Sequence, residues 1–370
     1  MPAIAELRTR TVEIPLTTVF STSNKTTTAA RLLLVNVRTD DGVEGWGEAQ
    51  LNPTFTTETP ASARAGVEAA TELVVGRDAE AVIAAVPEIA RRLDWRHAAR
   101  CALSMALWDL RGRLLDVPIY QLLGGARRRQ VPVAYHIGNF DDDRDAADAR
   151  TAADAGFGIV KLKVGRPDVA YDLRAVERVR RAAGADVRLF VDVNQAWGLA
   201  QAAAFIDRAK DIGVEVVEQP LPQWDVAGLA RLSATPGVVV AADESMYAAS
   251  DLLSALTAGT RPGGVVIKLL KAGGIDGAQS LLALSQLSGV APFLAGMCGD
   301  SSIGSAALLH VAAAAVDLPL GTAITPHFSR ADLVDKPLDV VDGHVHLDAV
   351  DGPGLGVTVD PAAVERTARP

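Results

Sequence analysis

The chain has 370 residues, 49% hydrophobic and 5% aromatic, enough for a full core and for one large domain with a smaller companion. Its formal charge is −9 at pH 7, and no basic block interleaved with aromatics marks a nucleic-acid surface. No uncharged run reaches membrane-spanning length, the opening MPAIAELRTR lacks an apolar signal core, and Cys101 and Cys298 form neither a disulfide framework nor a zinc pattern, so a soluble cytoplasmic protein without nucleic-acid or membrane partners is expected.

The first 60 residues read as strands and turns. In RLLLVNVRTDDGVEGWGEA an apolar run meets Asp40-Asp41-Gly42 and a second strand follows, which is a hairpin signal. From 60 to 125 apolar residues recur every three or four positions, as in RHAARCALSMALWDLRGRLL, and helices are predicted. Pro118 and the Gly124-Gly125 pair break that pattern. Trp46 and Trp108 read most simply as core. After 126 short apolar strands alternate with helical stretches: VPVAYHI, GIVKLKV, VRLFVDVN, VEVVEQP, VVVAADES, GVVIKLL and PFLAGM. This alternation predicts parallel βαβ units, and seven strands, with room for an eighth, favour a closed barrel. The stretch 326–370 is turn-rich and strand-like and is expected to return to the N-terminal part. The expected organisation is therefore 1–125, 126–325 and 326–370.

Each barrel strand ends in a polar residue. Lys161 and Lys163 end one, Asp192 and Asn194 the next, then Glu218, Asp243 and Lys268, at steps of 31, 26, 25 and 25 residues from Lys161 onward. One βα unit per step places all of them on one rim, where barrels of this kind keep their active sites. Three carboxylates, Asp192, Glu218 and Asp243, would repel one another in a common cleft unless a cation neutralises them, and hard oxygen donors suit Mg²⁺ or Mn²⁺. The plainer alternative is that strand-end acids cap the helices that follow. Side chains at i and i+2 share a strand face, so Lys161 and Lys163 point into the cleft together. Their mutual repulsion and a nearby cation predict a lysine pKa lowered towards neutrality. With Lys268 across the barrel, two bases would flank one carbon, an arrangement for removing and returning a proton α to a carboxylate.

The ordered set KLK, DVN, EQP, ADES and IKLLKAGG resembles the enolase superfamily, in its muconate-lactonizing-enzyme subgroup. DDGVEGWGEA, ALWDLRGRLLDVPIYQLLGG and GPGLGVTVD are similar to that subgroup's capping-domain landmarks. The resemblance implies an α/β fold, a modified TIM barrel (β/α)₇β under an α+β capping domain built from the N-terminus and the C-terminal tail. It implies metal at Asp192, Glu218 and Asp243, with Asn194 and Glu244 as polar neighbours. It implies acid/base roles for Lys163 and Lys268, with Lys161 supporting Lys163 and the substrate carboxylate.

For specificity, VFSTSNKTTTAARLLL is similar to the dipeptide epimerase loop whose cationic side chain meets a distal carboxylate, and Lys25 stands at the matching position. GMCGDSSIGSAALLH resembles both the epimerase and the cycloisomerase versions of the segment. Asp300 replaces their usual Glu, and Cys298 is a candidate pocket residue. Thr322 and Ile324 stand where dipeptide epimerases carry an acidic pair for a free amine, so an N-acylated amino acid, a differently charged dipeptide or a diacid such as cis,cis-muconate is expected, with Thr322 a candidate substrate-binding residue. His136 is a candidate for the cleft, His327 follows the last barrel strand, and His310 falls in an Ala-rich helix. The leading expectation is a racemase or epimerase of dipeptides or N-acyl amino acids. A muconate-type cycloisomerase is second, and a catalytically idle binding barrel is the non-enzyme alternative. A homo-oligomer is the default expectation for such enzymes.

Overall fold

The computed structural model describes every residue except Met1, Asn24 and Pro370. Its first part is an antiparallel meander, β1 (Ile4–Ser21), β2 (Thr26–Thr39) and β3 (Glu44–Gln50), with Asn36 opposite Trp46 in the predicted hairpin. Helices α1 (Pro60–Ala69), α2 (Val86–Arg92), α3 (His97–Leu114) and α4 (Ile119–Leu122) follow. Alternation along β3 sends Gly45 and Gly47 to one face, and there α3 lies directly on the strand. A Cβ at Gly47 would sit 1.9 Å from the Ala102 carbonyl oxygen, so only glycine admits that approach. Trp46 points the other way and is half-buried, which corrects the core assignment, while Trp108 on α3 is buried.

After the short strand β4 (Gln130–Pro132) come the barrel strands and their helices. They run β5 (Ala134–Ile137), α5 (Asp142–Asp154), β6 (Ile159–Lys163), α6 (Val169–Ala183), β7 (Arg188–Asp192) and α7 (Leu199–Ile212). Next are β8 (Val214–Glu218), α8 (Val226–Leu232), β9 (Val239–Ala242), α9 (Ala249–Thr257), β10 (Gly264–Ile267), α10 (Leu269–Ala272) and α11 (Ile275–Leu287). β11 (Ala291–Ala295), α12 (Ser302–Ala314) and β12 (Thr322–Ala323) complete the set. The eight strands pair in sequence order, all parallel, and a parallel bridge between Val133 and Thr322 joins the two ends. This is the expected (β/α)₇β barrel. Its interior is a separate apolar cluster that includes Ile159, Phe190, Val216, Ala241 and Val266. Two positions further along each strand stand Lys161, Asp192, Glu218, Asp243 and Lys268, so the strand period carries the same inward face from packed core to polar rim.

The tail does return to the N-terminal sheet. β13 (His344–His346) pairs with β4, and after α13 (Pro361–Thr367) β14 (Ala368–Arg369) pairs with β1 at Thr11 and Val12. Among the described residues no helix is long and apolar enough to cross a membrane.

Candidate active site

The rim loops of β7 and β8 hold backbone that side chains rarely adopt: Asn194, Gln195 and Gln219 have φ of 47°, 70° and 37°. The strain at Gln219 is held in place by its amide. The side-chain oxygen accepts from Asp243 N at 2.8 Å and Ser245 N at 3.2 Å, and the nitrogen donates to Leu221 O and Ser245 Oγ at 2.8 Å. Gln219 thereby ties the end of β8 to the end of β9.

Within this frame the charges interlock. Lys163 Nζ donates to Asp192 Oδ2 at 2.5 Å and to Asn194 Oδ1 at 3.0 Å. Lys161 Nζ donates to Glu218 Oε2 at 2.8 Å and lies 3.7 Å from Asp192 Oδ2. Lys268 donates to Asp243. All seven side chains are buried. A further cation was not singled out in the sequence: Lys271, fully buried, lies 2.6 Å from Asp243 Oδ1 and donates to Met246 O and Val266 O at 2.9 Å. Its signal is the second lysine of IKLLKAGG, three residues after Lys268 and hence one helical turn on.

These pairings overturn the expectation of a depressed lysine. Burial would lower Lys163 and Lys268, but the charges of Asp192 and Glu218 on one, and of Asp243 and Glu218 on the other, outweigh it, and both sit above their ordinary value. Burial would raise Asp192 and Asp243, yet the lysine charges hold both below the usual carboxylate range. Glu218 is pushed up to about 8 by burial and then by Asp192, and Glu244 to about 7 by burial and then by Asp243. Two carboxylate oxygens here, Glu218 Oε1 and Glu244 Oε2, are buried without a hydrogen-bond partner, and Glu244 Oε1 accepts from Asn194 Nδ2 at 3.3 Å. Unpartnered carboxyl oxygens in a low-dielectric site are costly, and a hard cation is what such a donor set fits. As they stand, the three carboxylates turn onto lysines, and among the described residues no three acidic, histidine or cysteine side chains surround a common point.

One cavity brings Lys161, Lys163, Asp192, Asn194 and Lys268 together with Lys25 and Cys298. β6 and β10 are four strands apart in a ring of eight, so Lys163 and Lys268 face each other across it. The capping part closes the mouth. Lys25 Nζ donates to Asn52 Oδ1 at 2.5 Å, Asn52 Nδ2 donates to Gln50 Oε1 at 2.9 Å, and the Phe55 ring lies 4.0 Å from Lys268 Nζ. Burial, then Lys163, lowers the Lys25 pKa. Burial pushes the Cys298 thiol up to about 12, so it stays protonated. His136, at the end of β5, also lines the cavity.

Two predicted residues lie elsewhere. Asp300 stands behind the cavity wall, where its Oδ2 accepts from Met297 N at 2.7 Å and burial pushes it to about 7. Thr322 is fully buried in β12 and donates to Pro132 O at 2.7 Å, which makes it a residue of barrel closure. His327 stacks on Tyr135 with ring centroids 5.8 Å apart, and His310 is core. Phe20, Phe55, Gln50 and Asn52 escaped the sequence reading because contact across two parts of the chain leaves no local pattern.

Comparison with known proteins agrees with this geometry. Residues 4–124 match the family model of the mandelate racemase / muconate lactonizing enzyme N-terminal domain, and residues 144–363 match the enolase C-terminal domain-like family. The chloromuconate cycloisomerase of Pseudomonas putida is 32% identical over 97% of both chains, and the L-Ala-D/L-Glu epimerase of Bacillus subtilis is 29% identical over 96% of both. The muconate lactonizing enzyme of Pseudomonas fluorescens, solved with muconolactone, superposes over 100% of both chains with a TM-score of 0.94 at 28% identity. The dipeptide epimerase of Enterococcus faecalis, solved with Mg and L-Leu-L-Tyr, superposes with a TM-score of 0.89 at 28% identity, over 96% of this chain and 99% of that one. The chain belongs to the enolase superfamily, in its mandelate racemase and muconate lactonizing enzyme branch, and is an isomerase of that branch.

Proposed function

We propose that this isomerase is a racemase or epimerase that removes and returns the proton α to a carboxylate in dipeptides or N-acyl amino acids. One observation carries the reading: Lys163 and Lys268 reach a single cavity from opposite sides of the barrel. For a carbon seated between them, Lys163 as free amine takes the α-proton while the C–H electron pair passes into the carboxylate. Lys268 as ammonium returns a proton to the other face, and the roles reverse for the opposite enantiomer. Protons balance over the cycle. Both lysines are paired to carboxylates, so the one acting as base must first give up that pairing. Lys161 steadies the substrate carboxylate.

Asp192, Glu218 and Asp243 are assigned to Mg²⁺ or Mn²⁺, backed by Asn194 and Glu244, and the unpartnered oxygens of Glu218 and Glu244 support that assignment. When bound, the cation supplies positive charge that competes with the lysines for these carboxylates and acidifies the α C–H bond. At the far end Lys25 and Asn52 suit a second, distal carboxylate. Among the described lining residues Asp192 is the one carboxylate, so nothing awaits a free α-amine, and an N-acylated amino acid fits better. The same doubly cationic cavity suits a dicarboxylate such as muconate, and the similarity to cycloisomerases gives that second reading its weight.

The test is α-proton exchange in D₂O with Mg²⁺, followed by loss of the α-¹H signal from each enantiomer of N-acyl amino acids and dipeptides. Washout from both enantiomers is expected. It should stop on chelation and resume with Mg²⁺, and it should fall by more than about 100-fold in Lys163→Ala and in Lys268→Ala. Lactone formation from muconate with no α-exchange would replace this reading by the second one.

A further inference from the structure

Among the described residues none hydrogen-bonds the Nε2 of His136, in a wall made of hydrogen bonds. His136 sits at the rim end of β5 and pairs in register with Lys161 on β6, so its side chain enters the cavity beside the lysine assigned to the substrate carboxylate. It is 7% exposed, and its Nε2 is buried with no partner. The rings of Phe20 and Phe328, each with its centroid 6.3 Å away and tilted by 31° and 42°, flank the imidazole between the cap and the barrel. Burial, and then the charges of Lys161 and Lys163, hold its pKa well below the ordinary value, so the ring is neutral and keeps one acceptor nitrogen. Packing alone would be served by an apolar ring of the same size, whereas a buried, unsatisfied imidazole is destabilising unless a partner arrives.

The surroundings narrow what that partner is. Carboxylates of a substrate have the lysines to meet, and a cation has the carboxylates of Asp192, Glu218 and Asp243. The amide oxygens that line the cavity are engaged: Asn194 Oδ1 by Lys163, Asn52 Oδ1 by Lys25, and Gln50 Oε1 by Asn52. A neutral donor on the atom next to the α-carbon is left as the group that fits His136, and in an N-acyl amino acid that atom carries the amide N–H.

We propose that His136 accepts the substrate's amide N–H, making the enzyme selective for α-carboxylates that bear a secondary amide on the α-carbon. This rests on the racemase or epimerase reading and narrows its substrate class. The hydrogen bond fixes the α-carbon between Lys163 and Lys268, and it favours N-acyl amino acids over substrates without an N–H at that position.

The experiment compares two probe pairs, N-succinyl- and N-glutaryl-alanine and their N-methyl counterparts, by α-exchange in D₂O with the Mg²⁺-loaded enzyme. The wild type is expected to favour the N–H member by about tenfold or more in kcat/KM, the worth of one neutral hydrogen bond. In His136→Leu that ratio should fall towards one, and in His136→Gln, which keeps an acceptor, it should recover in part. The ratio is internal to each variant, so partial loss of folded protein does not mimic the result. A wild-type ratio near one, or a ratio unchanged in His136→Leu, overturns the inference and leaves the epimerase reading standing. Absence of exchange by the wild type with every N-acyl probe overturns the inference, and absence of exchange with dipeptides as well overturns the epimerase reading too.

Discussion

His310 shows how one buried residue ties stability to pH. Its ring accepts from Tyr120 N at 3.3 Å and lies 3.1 Å from Leu355 O, so Nδ1 is the acceptor and Nε2 carries the proton. Burial pushes its pKa down to about 4. A histidine whose folded pKa lies below its unfolded value stabilises fully above the unfolded value, near 6.5, and loses that contribution as pH falls towards 4. The contribution is worth up to about 3 kcal/mol. The raised carboxylates Glu218, Glu244 and Asp300 work in the opposite sense, losing stability as pH rises through about 7 to 8. Comparison with His310→Gln isolates the histidine. The stability gap between wild type and variant, from urea denaturation, should narrow steadily from pH 7 to pH 4.5, and a gap independent of pH would refute the assignment. The residue scale also marks where sequence reading stopped. Lys161, Lys163 and Lys268 are legible because a lysine in an apolar strand has no cheap structural reason. Their protonation is not, because it depends on which carboxylate lies within 3 Å in the folded chain.

At the scale of elements, period and breakers make most of the fold legible. Seven barrel strands announce themselves as apolar runs bounded by Gly, Pro or acidic residues. The eighth, Thr322–Ala323, is two residues long and exists because its neighbours position it, so no run marks it. The tail reads as turn-rich and strand-like, and it holds turns, two short strands and the short helix Pro361–Thr367, which no apolar period announced. The β3–α3 contact is written in the sequence as Gly45-Trp46-Gly47, but its meaning appears only when the helix is laid on the strand. Gly47→Ala forces a methyl group into the backbone of Ala102. The helix must lift, and a loss of about 2–3 kcal/mol is expected from overpacking of this kind. Thermal and urea denaturation measure it, and a variant as stable as the wild type would mean that α3 does not lie that close.

At the scale of the molecule, cap and barrel are joined beside the active site. Glu48, on β3, is buried and accepts from Ser301 N at 3.0 Å and from Ser301 Oγ. Ser301 in turn caps α12 through Ile303 N at 3.1 Å. Gln50 Nε2 donates to Cys298 O at 2.9 Å, and Trp108 Nε1 donates to Asp276 at 2.9 Å. Ser301→Ala removes both the helix cap and a donor to a buried carboxylate. The expected cost is about 1–3 kcal/mol, with faster amide hydrogen exchange at Met297 and Ser301. Unchanged exchange there would show that the latch does not hold the loop. Lys25, Gln50, Asn52 and Phe55 reach the cavity through this junction, so it also sets the shape of that end of the cavity.

The amino-acid order alone determined the barrel and the polar residue at each strand end, because strand period and βα spacing are local and repeat along the chain, and the resemblance of its strand-end motifs pointed to the branch of the superfamily. Tertiary structure alone decided which carboxylate pairs with which lysine, that Lys271 backs Asp243, that Thr322 closes the ring and Asp300 stands behind the wall, and that His136 enters the cavity without a partner. Those outcomes depend on distances between segments remote in the sequence, and the balance there between burial and the nearest opposite charge sets the direction of each shift.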